Sequence, residues 1–313
     1  MTALPDTLAE LLAGSPATRE IVGAVLDEWP NHASYLSKSF GARSLEQLAA
    51  TEEAATATLK LMGDDLSRFA RGYRWTCDAL REEELFFHRN GRYRLATFAE
   101  ADAEVYSNHD YMAKYVDGLL LTQVLWFNHV ATFEMFLRVL AGQHQPFSYL
   151  EVGPGHGLML HFAARSPLSR SVEGWDVSPV SLRETRNALD RLGTDKPVSL
   201  TEVDILKAAR PERRYDLIVI SEVLEHLERP EAALAFLREA LAPDGRIFIN
   251  VPLNSPSPDH IYLLSTPEEA RTLVEGAGLL VEREELYATQ GRPVAKSIAN
   301  RVTVSVGMVA TAR

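Results

Sequence analysis

The stretch Phe147-Ser-Tyr-Leu-Glu-Val-Gly-Pro-Gly-His-Gly157, running on into Leu158-Met-Leu-His-Phe-Ala-Ala164, decides the fold. Its first part reads as a short apolar strand ending in an acid, Glu151. The strand breaks into a glycine-rich turn, and a helix-forming run follows at once. Strand, glycine turn and helix N-terminus together make a nucleotide-type binding site. Glycine lets the backbone approach a ligand, and the helix N-terminus supplies N–H groups and a partial positive charge. The spacing Gly153-x-Gly155-x-Gly157 differs from the G-x-G-x-x-G of dinucleotide sites. Glu151, two residues before the first glycine, can face a cation such as an α-amino group, which a pyrophosphate ligand lacks.

Downstream, strand-like runs recur. Ser171–Asp176 reads as a second strand with Asp176 at its carboxyl end. Val177 and Ser178 follow, and Pro179 opens a helix to Leu192, for which Asp176 or Ser178 also suits the N-cap. Val198–Ile205 reads as a third strand ending at Asp204. Asp216–Ile220 is a continuous β-branched run, typical of a parallel strand covered on both faces. Ser221, Glu222, Glu225 and His226 lie at its carboxyl end, where open α/β sheets place ligands. A turn at Ala242-Pro-Asp-Gly245 leads to a fifth strand ending at Pro252. A helix over Pro267–Ala277 stops at Gly278, and Leu279–Leu286 with Val302–Val309 supply strands six and seven.

From about Phe147 onward the chain resembles the class I S-adenosylmethionine-dependent methyltransferases. The string Glu222-Val-Leu-Glu-His226 is similar to one common in small-molecule methyltransferases of the ubiquinone-biosynthesis type. The resemblance implies an α/β fold: a seven-stranded Rossmann-like sheet with helices on both faces, closed by an antiparallel hairpin. It implies S-adenosylmethionine as cofactor and S-adenosylhomocysteine as product. It places Glu151, Gly153, Pro154, Gly155 and Gly157 around the donor, together with Ser221 and Glu222. Asp176 would take the ribose hydroxyls, with Val177 and Ser178 beside it. Asp204 would meet the adenine amino group, and Ile205 would cover the ring.

The donor's sulfonium already activates the methyl group, so the protein must align an acceptor and exclude water. Positioning supplies ~7–11 kcal/mol when the geometry is near attack. A base for an oxygen acceptor adds about 10²–10⁴-fold. His226 is the expected base, kept basic by the neighbouring Glu225. The Pro-rich loop Asn254–Tyr262 adds His260 as a reserve base and Tyr262 as a substrate-site residue. No metal is expected, because the chain has no H-x-x-x-H pair and no cysteine cluster.

Residues 1–145 read as a separate domain, with residues 146–313 forming the donor-binding one and the boundary between Gly142 and Phe147. Thr7–Leu12, Thr18–Trp29, Ala54–Met62 and Leu66–Leu80 have helical spacing, and Ser44-x-x-Gln47 forms a capping box. Asn90-Gly91, between two strand-like runs, predicts a hairpin over Leu85–Leu95. Helices followed by a hairpin suggest a winged-helix-like domain. Such domains resemble the dimerisation and substrate-covering domains of many small-molecule O-methyltransferases. A long helical region over Asp110–Leu140 contributes Tyr111, Tyr115, Trp126 and His129 as candidate substrate contacts, with Trp126, His129, Phe133 and Phe136 on one face.

With 313 residues and 46% hydrophobic content the chain is long enough for one large or two modest domains. A net charge of −11 argues against nucleic acid as partner, despite Arg68, Arg71 and Arg74 on one helix. There is no long apolar run for a membrane, and Met1–Asp6 lacks the basic start of a secretory signal. One cysteine, Cys77, excludes an internal disulfide and fits a cytoplasmic setting. The expectation is a homodimeric enzyme that methylates a small molecule, with O-methylation of a phenol or enol leading and C-methylation of an activated carbon next. The reading from another class is a winged-helix regulator that only senses the donor.

Overall fold

The computed structural model describes residues 4–211 and 213–313, so the opening of the Met1–Asp6 stretch lies outside the described residues. The chain packs as two compact units. One comprises Met1–Glu134, Asn254–Leu263 and Tyr287–Val304; the other comprises Met135–Leu253, Leu264–Leu286 and Ser305–Arg313.

The second unit carries the sheet. Its strands are β1 (Phe147–Val152), β2 (Ser169–Asp176), β3 (Val198–Glu202), β4 (Tyr215–Ser221), β5 (Leu241–Leu253), β6 (Leu279–Ala288) and β7 (Val304–Ala312), in the order β3-β2-β1-β4-β5-β7-β6. The pairs β1–β2, β1–β4, β2–β3 and β4–β5 are all parallel. Leu217 to Ile220 of β4 are fully buried, which is why that run is apolar at every position. The Ala242-Pro-Asp-Gly245 turn is absorbed into β5, where Tyr215 pairs with Leu241 but Leu217 pairs with Arg246. From β1 the chain builds outward to β3 on one side, then crosses to β4 and β5 on the other. A crevice therefore opens at the carboxyl ends of β1 and β4, the topological switch point.

Local signals explain the helices of this unit. In α10 (Pro179–Leu192) the Ser178 hydroxyl accepts from the Ser181 N–H, Pro179 sits in the first turn, and Gly193 ends the helix in the left-handed conformation. The other helices are α9 (Leu158–Arg165), α11 (Pro230–Glu239) and α12 (Pro267–Gly276).

The first unit is helical: α1 (Asp6–Leu11), α2 (Pro16–Glu28), α3 (Ala33–Gly41), α4 (Leu45–Met62), α5 (Leu66–Asn90), α6 (Phe98–Ala101) and α7 (His109–Leu125), then the start of α8 (Phe127–Ala141), and later α13 (Val294–Ala299). The Ser44–Gln47 capping box is formed at the start of α4. The expected hairpin is not. α5 continues through Leu85–Asn90, and Gly91 (φ 68°) is its left-handed C-cap. Asn-Gly suits a helix end as well as a type I′ turn, and the amphipathic spacing of α5 decides between them. No strand forms among the described residues before Phe147, so the winged-helix arrangement is also corrected.

The long helical region expected over Asp110–Leu140 is built of two helices, α7 and α8, bent by 70° at Trp126, whose backbone is extended. The carbonyl of Leu125, left at the end of α7, accepts from Ser39 Oγ at 2.7 Å and from Arg43 Nη2 at 3.1 Å. Arg43 is 7% exposed and stacks over Phe40, so a buried cation meets the negative end of a helix. No single helix among the described residues is long and apolar enough to cross a membrane.

Candidate active site

The glycine turn is shaped as its sequence requires. Gly153, Gly155 and Gly157 have φ of 67°, 49° and 69°, all left-handed. A Cβ on Gly153 would come within 2.6 Å of Val223 Cγ2, so the turn closes against the segment after β4. A Cβ on Gly155 would meet nothing within 4 Å, so this exposed glycine leaves open space over the backbone. Gly157 is the N-cap of α9 without a side-chain cap, which leaves amides at the head of the helix for a ligand. Thr185 Oγ1 of α10 donates to the Gly155 carbonyl at 2.8 Å and braces the turn from outside.

Glu151 is buried beneath this turn. Its carboxyl accepts from the Tyr149 hydroxyl at 3.0 Å and from the Leu160 N–H, and burial pushes its pKa up to about 8. Protein donors already hold the side chain, so its charge is set by burial unless a cation comes to it.

Asp176 lies at the end of β2, where its Oδ1 accepts the Ser178 N–H at 2.8 Å. Burial raises its pKa, against the bonds from the Ser178 and Val177 amides. Val177 projects into solvent, 49% exposed, a flat apolar surface beside a hydrogen-bonding acid. Asp204 follows β3, accepts from the Leu206 N–H at 3.0 Å and pairs with Lys207 at 2.8 Å. Desolvation opposes ionisation there, but the bonds from Lys207 and the Leu206 amide outweigh it and hold the carboxyl low. Ile205, beside it, is buried. Acids at the ends of β2 and β3, an exposed valine and an open glycine turn suit a ribose, an adenine and a charged tail along one edge. The residues present therefore fit S-adenosylmethionine.

At the end of β4, Ser221 pairs with Asn250 of β5. Glu222 has a left-handed backbone (φ 53°) and accepts from Asn250 Nδ2 at 2.7 Å. Burial pushes its pKa up to about 7, with bonds to Glu225 and Asn250 and the charge of His226 pulling the other way. Glu225 is 1% exposed, and its Oε1 lies 3.9 Å from His226 Nε2. His226 is half-buried. The sequence therefore places an imidazole beside one buried and one half-buried carboxyl on one short turn. Asn250 escaped the sequence reading, although an amide in the apolar run Ile247–Val251 was a signal for it.

The remaining candidates belong to the helical unit. His260 is buried, and its Nδ1 donates to the Ser255 carbonyl at 2.7 Å. Tyr115 is 3% exposed; its hydroxyl shares a hydrogen bond with Ser257 and donates to Asp259 at 2.9 Å. Tyr111 is half-buried against Trp75 and Tyr115, and burial, with Asp259 adding to it, pushes its phenol up to about 12. Trp126 Nε1 donates to the Tyr73 hydroxyl at 3.0 Å. His129 bridges the α7–α8 bend through Thr122 at 3.0 Å, and burial lowers its pKa to about 4. Tyr262 is half-buried in the segment after His260. Ser257 and Asp259 were not singled out from sequence; they sit in a loop whose prolines masked them.

A family model described as "Methyltransferase domain" matches residues 127–290, just over half of the chain. Among curated proteins, the chain is similar to the ubiquinone/menaquinone biosynthesis C-methyltransferase UbiE of Cupriavidus taiwanensis, 28% identical over 117 residues, covering 37% of this chain and 47% of that protein. It is also similar to the ubiquinone biosynthesis O-methyltransferase of Xanthomonas euvesicatoria, 27% identical over 127 residues, covering 41% and 52%. The chain thus spans about half the length of the curated relatives it matches. Among solved structures, the N-methyltransferase NodS of Bradyrhizobium japonicum in complex with S-adenosylhomocysteine superposes with a TM-score of 0.42 at 18% identity, covering 57% of this chain and 83% of that one. The chain belongs to the methyltransferase domain family, the class of enzymes that take their methyl group from S-adenosylmethionine.

Proposed function

We propose that this protein transfers the methyl group of S-adenosylmethionine to a small molecule, with a phenolic or enolic oxygen as the leading acceptor. The observation that carries the reading is the left-handed glycine turn at the end of β1, opening beside the acid- and imidazole-bearing turn that follows β4. The donor, when bound, supplies an electrophilic methyl. His226 takes the acceptor's proton, and the Glu225 carboxyl 3.9 Å away stabilises the imidazolium that forms. C-methylation of an activated carbon is the second reading, supported by the printed name of the Cupriavidus relative. In the same proposal the enzyme works in the cytoplasm as a homodimer through its helical segment, which sedimentation of the purified chain would read.

The deciding experiment supplies methyl-labelled donor together with a metabolite extract, a protein fraction and a nucleic-acid fraction. Label confined to a small extractable product supports the reading, and its mass spectrum separates O- from C-methylation. Label in protein or nucleic acid overturns it. Donor binding without transfer to any pool favours a sensor.

A further inference from the structure

Asn250 of β5 is 3% exposed and sits opposite Ser221 in the β4–β5 register. It grips the residue after β4 at two points. Its carbonyl accepts the Glu222 N–H at 3.0 Å, and its Nδ2 donates to Glu222 Oε1 at 2.7 Å and to Ser221 Oγ at 3.1 Å. With the amide donors so engaged, its Oδ1 is buried without a hydrogen-bond partner. Buried polar atoms are normally paired, so an orphan acceptor beside a carboxyl marks a place for a donor-bearing group. Glu222 has no glycine-like freedom, yet it keeps a left-handed backbone where the two-point grip holds it.

We propose that Asn250 is a positioning residue of the donor site: it fixes Glu222 so that the Glu222 carboxyl and the Asn250 amide oxygen together receive the cationic end of S-adenosylmethionine, and donor binding expels the proton Glu222 had held. The inference rests on the proposed donor reading. The proton passes from the carboxyl to solvent, and the arriving positive charge replaces it.

The charge environment supports this. Burial pushes the Glu222 carboxyl up to about 7, toward its neutral form. Glu225 and His226 face it from the turn after β4, and Asn250 from β5. On the neighbouring β1 the titratable groups are Tyr149 and Glu151, bonded to each other, with Glu151 at about 8. A cation brought into this group lowers the carboxyl pKa values and drives ionisation.

The test is calorimetric titration of the full chain with S-adenosylmethionine between about pH 6 and 8, in two buffers of unlike ionisation enthalpy. At neutral pH the native protein is expected to release more protons per donor bound than Glu222→Gln or Asn250→Leu. Native affinity is expected to rise with pH, by up to roughly tenfold per unit, and to level off above the Glu222 midpoint. A merely structural Asn250 would lower affinity equally at every pH. If Asn250→Leu does not fold, Asn250→Asp tests the same grip with the opposite sign: it removes the amide donor and adds a charge that holds the Glu222 proton to higher pH, so the pH at which affinity levels off is expected to move up. Equal proton release in native protein, Glu222→Gln and the Asn250 variants overturns the inference while leaving the donor reading intact. Failure of the native protein to bind the donor overturns both.

Discussion

At the residue scale the donor site is a set of separable contacts, and each makes its own demand. Asp176 offers a carboxyl at the end of β2 beside the exposed Val177. Replacing it with alanine should weaken S-adenosylmethionine binding by at least roughly tenfold, about 1.4 kcal/mol, read by calorimetry. Unchanged affinity would remove Asp176 from the site. Gly153 answers to backbone geometry instead. Alanine there must adopt φ near 67° and also push Val223 Cγ2 away from 2.6 Å. The expected cost is about 1–3 kcal/mol of folding stability together with loss of donor binding. Chemical denaturation and a binding titration on the same sample would show both. Cys77 is the contrasting case: burial pushes its thiol up to about 12, so it should stay unreactive toward thiol reagents in the folded chain.

At the scale of elements, α5 and α7 touch through small residues. A Cβ on Gly118 would collide with the Thr76 side chain and come within 2.7 Å of the Gly72 carbonyl. Gly118→Ala therefore cannot be absorbed by a rotamer change alone, and is expected to destabilise the helical unit by about 1–3 kcal/mol. A stability equal to the native chain would mean the two helices are not this close. The Asn254–Leu263 segment is held to the same unit by hydroxyls converging on Asp259: Tyr115 at 2.9 Å, Ser257 at 2.9 Å and Tyr106 at 3.4 Å. Tyr115→Phe removes a bond to a buried charged acceptor, worth about 1.5–3 kcal/mol. Its signature is faster amide exchange concentrated in residues 254–263.

At the scale of the whole molecule, buried titratable groups set opposing pH limits. Burial lowers His32 and His129 from an ordinary 6.5 to about 4. As pH falls through that window the unfolded chain takes up protons that the native rings refuse, so stability drops. Glu151 and Glu222 are raised from 4.5 to about 8 and about 7. Above 4.5 the unfolded chain releases protons that the native carboxyls keep, so their contribution fades as pH climbs toward 8. Together the four groups predict a shoulder of stability between about 4.5 and 6.5, with a decline on either side. Urea midpoints measured across this range should fall from pH 6.5 to 8, and Glu151→Gln should flatten that fall. A midpoint that climbs over the same interval would contradict the burial of these carboxyls.

Whatever depends on neighbours along the chain was already legible in the residues. The glycine turn needs positive φ at Gly153, Gly155 and Gly157, and only glycine adopts it there cheaply. The fully apolar Leu217–Ile220 announced a strand buried on both faces, and Pro179 with Gly193 bounded α10 at both ends. The acids at the ends of β2, β3 and β4 followed, because their position at a strand end is itself a local property. Tertiary structure decided what local signals left open. Asn90-Gly91 suits a hairpin or a helix end, and burial of one face of α5 chose the helix. The apolar spacing over 110–140 runs through Trp126 without a break, yet Ser39 and Arg43, far away in sequence, hold the carbonyl at which α7 stops. Asn250 and Asp259 gained their places from residues that no spacing rule connects to them. A strand or a turn is written in adjacent residues, whereas the partner of a buried polar atom is chosen only once distant segments have packed.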